Sequence, residues 1–246
     1  MALKAAPEDQ ALLLDLQALD TRLQQLSHRA ANLPELATIA GLVTVRDGLR
    51  ATVAEANGAW EDAQLELKRT EADVAVVEAR VARDKERIQS SASVKDVAAF
   101  EQELAALAKR QSDLEDIELA VMETADERAK ALSDARAQLE AVEARIAEAS
   151  AARDAALLEL DAERAAASAE RAGIAARVPG ELLALYEKQR ARYGVGASLL
   201  RGGVSSASGV ALNSADMTVV RAAAPDDVLL CPDSNAVLVR TNESGL

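Results

Sequence analysis

The chain has 246 residues, half of them apolar but only 2% aromatic. This excludes a globular core built on Phe, Tyr and Trp, and burial must come from many small aliphatic contacts. With 28 Lys and Arg against 41 Asp and Glu, the net charge of −13 disfavours binding to phosphate backbones. A single cysteine excludes an intramolecular disulfide framework, and no stretch approaches the roughly 20 apolar residues that span a bilayer, so the expectation is a cytoplasmic protein without membrane insertion.

From Leu12 the apolar residues fall at Leu16, Leu19, Leu23 and Leu26, steps of four and three that predict a helix over about 6–32. Asn32-Leu33-Pro34 interrupts it, because proline removes a backbone donor yet suits the first position of a new helix. A second register from Leu42 through Val53, Trp60, Val74 and Val81 to Ile88 continues for nearly seven heptads, predicting a coiled-coil helix over 35–89. Trp60 is expected there as a core knob. "QSSASVKD" breaks the pattern and places a hairpin tip near 90–96, with Ser93 or Asp96 as the cap of the next helix.

The return arm is expected over 95–178, longer than the outgoing one by roughly 40 Å at 1.5 Å per residue. The first helix is about long enough to cover the excess. Polar residues at seam positions, namely Arg46, Asp84, Gln111 and Glu118, fix register at some cost in stability. Residues 1–178 thus read as a coiled-coil helical hairpin. The heptads are satisfied by either a monomer or a homodimer.

Nothing along this stretch predicts an enzyme. The single histidine, His28, lacks the spacing to Ser, Asp or Cys of a triad or metal pair. The acidic run "SDLEDIELAVMETADE" reads as a solvated flank. "YGVGASLLRGG" lacks the glycine spacing and the Lys-Ser/Thr of a phosphate loop. Residues 179–200 read as a short helix followed by a hinge, since Pro179-Gly180 breaks the long helix and Gly194 and Gly196 end the short one.

Residues 201–246 lose Lys and gain Ser, Asn and Val, with short strands expected at 210–212, 228–230 and 236–240. Here Ser205-x2-Ser208 and Cys231-x2-Ser234 occupy the positions that four cysteines would hold in a zinc ribbon. The layout resembles the bacterial family that joins a long coiled-coil hairpin to a carboxy-terminal zinc ribbon with four cysteine ligands. "APEDQALLLDLQALDTRLQQLSHRAANLPEL", "LLALYEKQRAR", "LNSADM" and "VLVRTNESGL" are similar to its actinobacterial members.

The resemblance implies a mainly α fold, a long antiparallel coiled-coil hairpin with a small β-rich domain at its C-terminal end, and a structural zinc. Three of the four ligand positions are serine, and a neutral hydroxyl is a poor zinc ligand. The expectation is therefore a degenerate ribbon with no cofactor, Cys231 being a small partly buried residue, and a weak or intermolecular metal site as the alternative. Asn235 and Ser214 stand where the family usually has Gly and often has Pro, which favours natural decay of the site over engineering.

Relatives in that family include a flagellar chaperone and a chlamydial protein that bind sigma-54 and export components, so the resemblance implies a non-enzymatic adaptor or chaperone-like scaffold with protein partners. The alternative is a nucleic-acid-binding regulator acting through the ribbon-like end, with Arg201, Arg221 and Arg240 as the contact residues.

Overall fold

A computed structural model describes residues 3–246. Helix α1 covers Pro7–Ala31, α2 Pro34–Ser90, α3 Val94–Ala175 and α4 Gly180–Tyr193. Strand β1 (Ala197–Arg201), β2 (Val204–Ser205), α5 (Ser214–Ala222), β3 (Leu229–Leu230) and β4 (Val237–Val239) follow. The chain is thus a long helical hairpin with a small C-terminal sheet. It packs as two compact units, one formed by the residues up to Pro34 together with Ala152–Leu246, the other by Glu35–Ala151.

Within the second unit the seam follows the heptads: Leu42, Val77, Leu114, Ala125, Leu132 and Val142 are buried. Asp84 is buried with them, while Arg46, Gln111 and Glu118 are half-buried. Across the seam Arg50 donates to Glu143 at 3.1 Å, Arg136 to Asn57 at 3.1 Å, and Arg80 to Glu103. Ser93, not Asp96, caps α3, its hydroxyl accepting the Asp96 N–H at 3.4 Å. Trp60, expected as a core knob, is only half-buried, like Val53 and Ala56 of the same stripe, and lines a groove of about 440 Å³ with Ala129, Leu132, Ser133 and Arg136.

The first unit holds a core where Leu13 and Leu16 of α1 meet Leu182 and Tyr186 of α4, Ala197 of β1 and Val237 and Val239 of β4. The sheet has strand order β2-β1-β4-β3, with β1 parallel to β4 and the other pairs antiparallel. Beside the sheet, Leu3 and Ala5 exchange backbone hydrogen bonds with Val228 and Asp226, tying the chain ahead of α1 to the segment ahead of β3.

Three expectations change here. The hinge expected within 179–200 is instead continuous packed structure, since Ala197–Arg201 forms a central strand once Gly194 (φ 82°) has ended α4. The strand expected at 210–212 is only an isolated bridge between Val204 and Ala211, because Gly209 (φ 68°) turns the chain immediately before it. The strands expected at 228–230 and 236–240 shorten to β3 and β4. Helix α5 was unforeseen, although Asn213 three residues before Asp216 is its N-cap signal: the Asn213 side chain accepts the Asp216 N–H at 2.9 Å.

Candidate functional site

The four positions expected to be vestigial ligands come together in part. Ser205 of β2 and Cys231, just beyond β3, are fully buried, and the Cys231 thiol donates to Ser205 Oγ at 3.4 Å. Ser205 Oγ also lies 2.6 Å from the hydroxyl of Ser198 on β1, which accepts the Ala207 N–H at 3.1 Å. Burial would push the thiol up, but hydrogen bonds with the Ser205 and Ser234 hydroxyls and the Ser234 and Asp233 backbone lower its pKa instead. Ser208 is half-buried and its hydroxyl accepts the Val210 N–H at 3.2 Å, within its own turn.

One thiol and three hydroxyls do not fit zinc, which takes thiolate, imidazole or carboxylate donors. Among the described residues no group of three or more His, Cys, Asp and Glu could hold a metal. Ser198 joins Ser205, and through it Cys231, to the central strand. Its only signal was a hydroxyl inside the otherwise apolar "GASLL".

The three arginines serve different ends. Arg201 donates to Glu243 at 2.6 Å. Arg240 donates to the carbonyls of Val220, Ala223, Ala224, Pro225 and Asp227, at 2.6 to 3.4 Å, and so closes the C-terminal end of α5 and the loop after it. Arg221 is exposed and lines an apolar groove of about 390 Å³ with Pro7, Val220 and Leu246. His28 is exposed, and Asn32 at the end of α1 bonds both its ring and its carbonyl.

The densest polar cluster in the first unit was not legible beforehand. Asp20 of α1 is buried, and its two oxygens accept four hydrogen bonds. Oδ1 accepts from Arg171 (2.7 Å) and Arg190 (2.9 Å), and Oδ2 from Arg171 (3.1 Å) and the Tyr186 hydroxyl (2.7 Å). Glu187 bridges the same two arginines. One turn earlier, Gln17 Oε1 accepts the N–H groups of Gly196 (2.7 Å) and Ala197 (3.3 Å), fixing where β1 begins.

Burial, followed by the hydrogen bond to Asp20 and its charge, raises the Tyr186 phenol above its usual range. Gly196 is required here, since a Cβ would stand 2.5 Å from the buried Tyr186 ring. With every oxygen of Asp20 satisfied and no nucleophile or base beside it, the cluster ties α1, α3 and α4 together rather than carrying out chemistry. The polar cleft above it, about 490 Å³ and lined by Gln24, Ser27, Arg164 and Ser168, is broad and open.

Two proteins of Mycobacterium tuberculosis, from strains CDC 1551 / Oshkosh and H37Rv and both described as uncharacterised, are 35% identical to this chain over 239 residues, 97% of this chain and 98% of theirs. A solved structure from Mycobacterium smegmatis superposes with a TM-score of 0.85 at 33% identity, covering 97% of this chain and all of that one. The structure of CT398 from Chlamydia trachomatis is similar in fold, with a TM-score of 0.62 at 16% identity over 95% of this chain and 98% of that one. The coiled-coil family and these homologues give no sign of catalytic activity. Since the CT398-like coiled coil hairpin domain matches residues 16–194, nearly three-quarters of the chain, the protein belongs to that family.

Proposed function

We propose that the protein is a non-enzymatic protein-interaction adaptor that presents docking faces on its coiled-coil hairpin. The observation that carries this reading is where the large apolar side chains go. Val45, Leu65, Val76, Leu119 and Met122 stand on the outer faces of the hairpin unit, each 45 to 66% exposed, while Ala125 and Ala135 take up buried places in its seam. A helix pair selected only for its own stability would place them inside, where each buried side chain contributes about 1.5–3 kcal/mol. The nucleic-acid reading loses support because Arg201 and Arg240 are already committed to Glu243 and to backbone carbonyls.

The test is photocrosslinking in the source cell, with the full chain carrying a photoreactive residue at Leu65 or Leu119 on the hairpin, or at Val219 on α5. A discrete protein adduct from the hairpin positions, competed away by unlabelled chain, is the expected result. Absence of any adduct at all three positions would sink the adaptor reading.

The C-terminal sheet, in this reading, works without structural metal, its thiol and hydroxyls bonding one another instead. Melting curves with and without a strong chelator should superimpose. A fall in Tm on chelation would show a bound metal that holds the sheet.

A further inference from the structure

Between Gln111 and Glu127 there are seven carboxylates, Asp113, Glu115, Asp116, Glu118, Glu123, Asp126 and Glu127, and no Lys or Arg. None of the seven enters an ion pair among the described residues, whereas Glu66, Glu103, Asp134 and Glu143 of the same unit all do. Only Glu115 has a side-chain partner, accepting from Gln111 at 2.9 Å.

Inside this uncompensated stretch Leu119 is 61% exposed and Met122 45% exposed. Glu115, Leu119, Met122 and Asp126 follow at steps of four, three and four, so they share one face of the helix, an apolar pair with a carboxylate at either end. The seam on this stretch is formed by other residues, Leu114 and Ala125, both buried. Leu119 and Met122 are therefore not needed to hold the hairpin together.

We infer that this face of α3 docks a basic amphipathic helix of a partner protein. The inference rests on the adaptor reading and names its site and the partner's chemistry. An exposed Leu–Met pair supplies adaptable apolar contact area, methionine being the side chain that best follows an irregular partner surface. Carboxylates outside any intramolecular ion pair supply the charge that selects Lys and Arg on the incoming helix and repels acidic ones. A second copy of this chain is disfavoured as the occupant, because Glu35–Ala151 carries 25 acidic against 15 basic residues and like charges would oppose each other.

The probe is a fluorescently labelled synthetic Leu/Lys amphipathic helix of about 18 residues, five turns long, titrated with the full chain at physiological salt. A Leu/Glu peptide of the same spacing is the charge control. The expected result is binding of the Leu/Lys peptide alone, weakened about tenfold or more, or roughly 1.4 kcal/mol, by Leu119→Ala with Met122→Ala. The pair Val94→Ala with Leu158→Ala on α3, outside the acidic stretch, should leave the affinity unchanged. Both pairs are exposed and alanine favours helix, so unchanged Tm values will show that folding is intact.

The inference is overturned if the peptide fails to bind, if it binds the Leu119/Met122 variant as tightly as the parent, or if both variant pairs weaken it equally. That failure is separable from failure of the adaptor reading. Partner adducts from the hairpin together with peptide binding indifferent to Leu119 and Met122 would keep the adaptor and remove this face.

Discussion

Asp20 is the residue on which the first unit most depends, because a buried carboxylate holding two arginines and a phenol cannot lose its charge without leaving all three short of a partner. Asp20→Asn should cost about 3–5 kcal/mol, the usual penalty for breaking one side of a buried ion pair, measured by urea unfolding. Its Tyr186 partner gives the unit a pH dependence. The folded-state pKa of that phenol is raised, so its contribution is complete below the unfolded value of about 10 and is lost as pH rises above it toward the folded value. Stability should therefore fall more steeply above about pH 10 in the parent than in Tyr186→Phe, as thermal melts across that range would show. An equal fall in both would mean that Tyr186 does not set the alkaline limit. Neither role was visible in the sequence, where Asp20, Arg171, Tyr186 and Arg190 lie up to 170 residues apart.

At the scale of the elements, the long helices were legible because their information is local. A heptad stripe states both the helix and the face it buries, and prolines and serines mark the ends. Asp84 illustrates the part of that logic that opposes stability. It is buried in the seam with Oδ2 lacking any hydrogen-bond partner and Oδ1 3.5 Å from Arg87. Asp84→Leu should raise the stability of the hairpin by about 1–4 kcal/mol, as replacing a buried charge by an apolar side chain of similar volume often does. Guanidinium unfolding of the two chains checks this, and a less stable Asp84→Leu would show that the carboxylate supports the seam. The short strands were less legible. Two or three residues carry too little alternation to define a strand, and what places them is partners far along the chain, such as Leu199 opposite Val239.

For the whole molecule, the sequence suggests a rod with a separable tail, whereas the packing joins the first helix to the last strand. Leu13 and Leu16 share a core with Val237 and Val239, and the backbone of Leu3 and Ala5 pairs with residues 226–228. A chain ending at Leu200 should therefore not behave as an intact protein lacking a tail. Losing β4 uncovers Leu13, Tyr186 and Ala197, and light scattering should show larger assemblies than the full chain forms. A monodisperse truncated chain with the parent's near-ultraviolet spectrum would contradict this packing.

The sequence by itself determined the helical hairpin, its tip and the family, because periodicity is a local property. Only the tertiary structure decided that Asp20 and Gln17 join α1, α3, α4 and the start of β1, that Arg240 closes α5, and that Leu119 and Met122 face outward among unpaired carboxylates. Those arrangements depend on which distant surfaces meet when apolar area is buried, and composition and spacing along one chain do not carry that information.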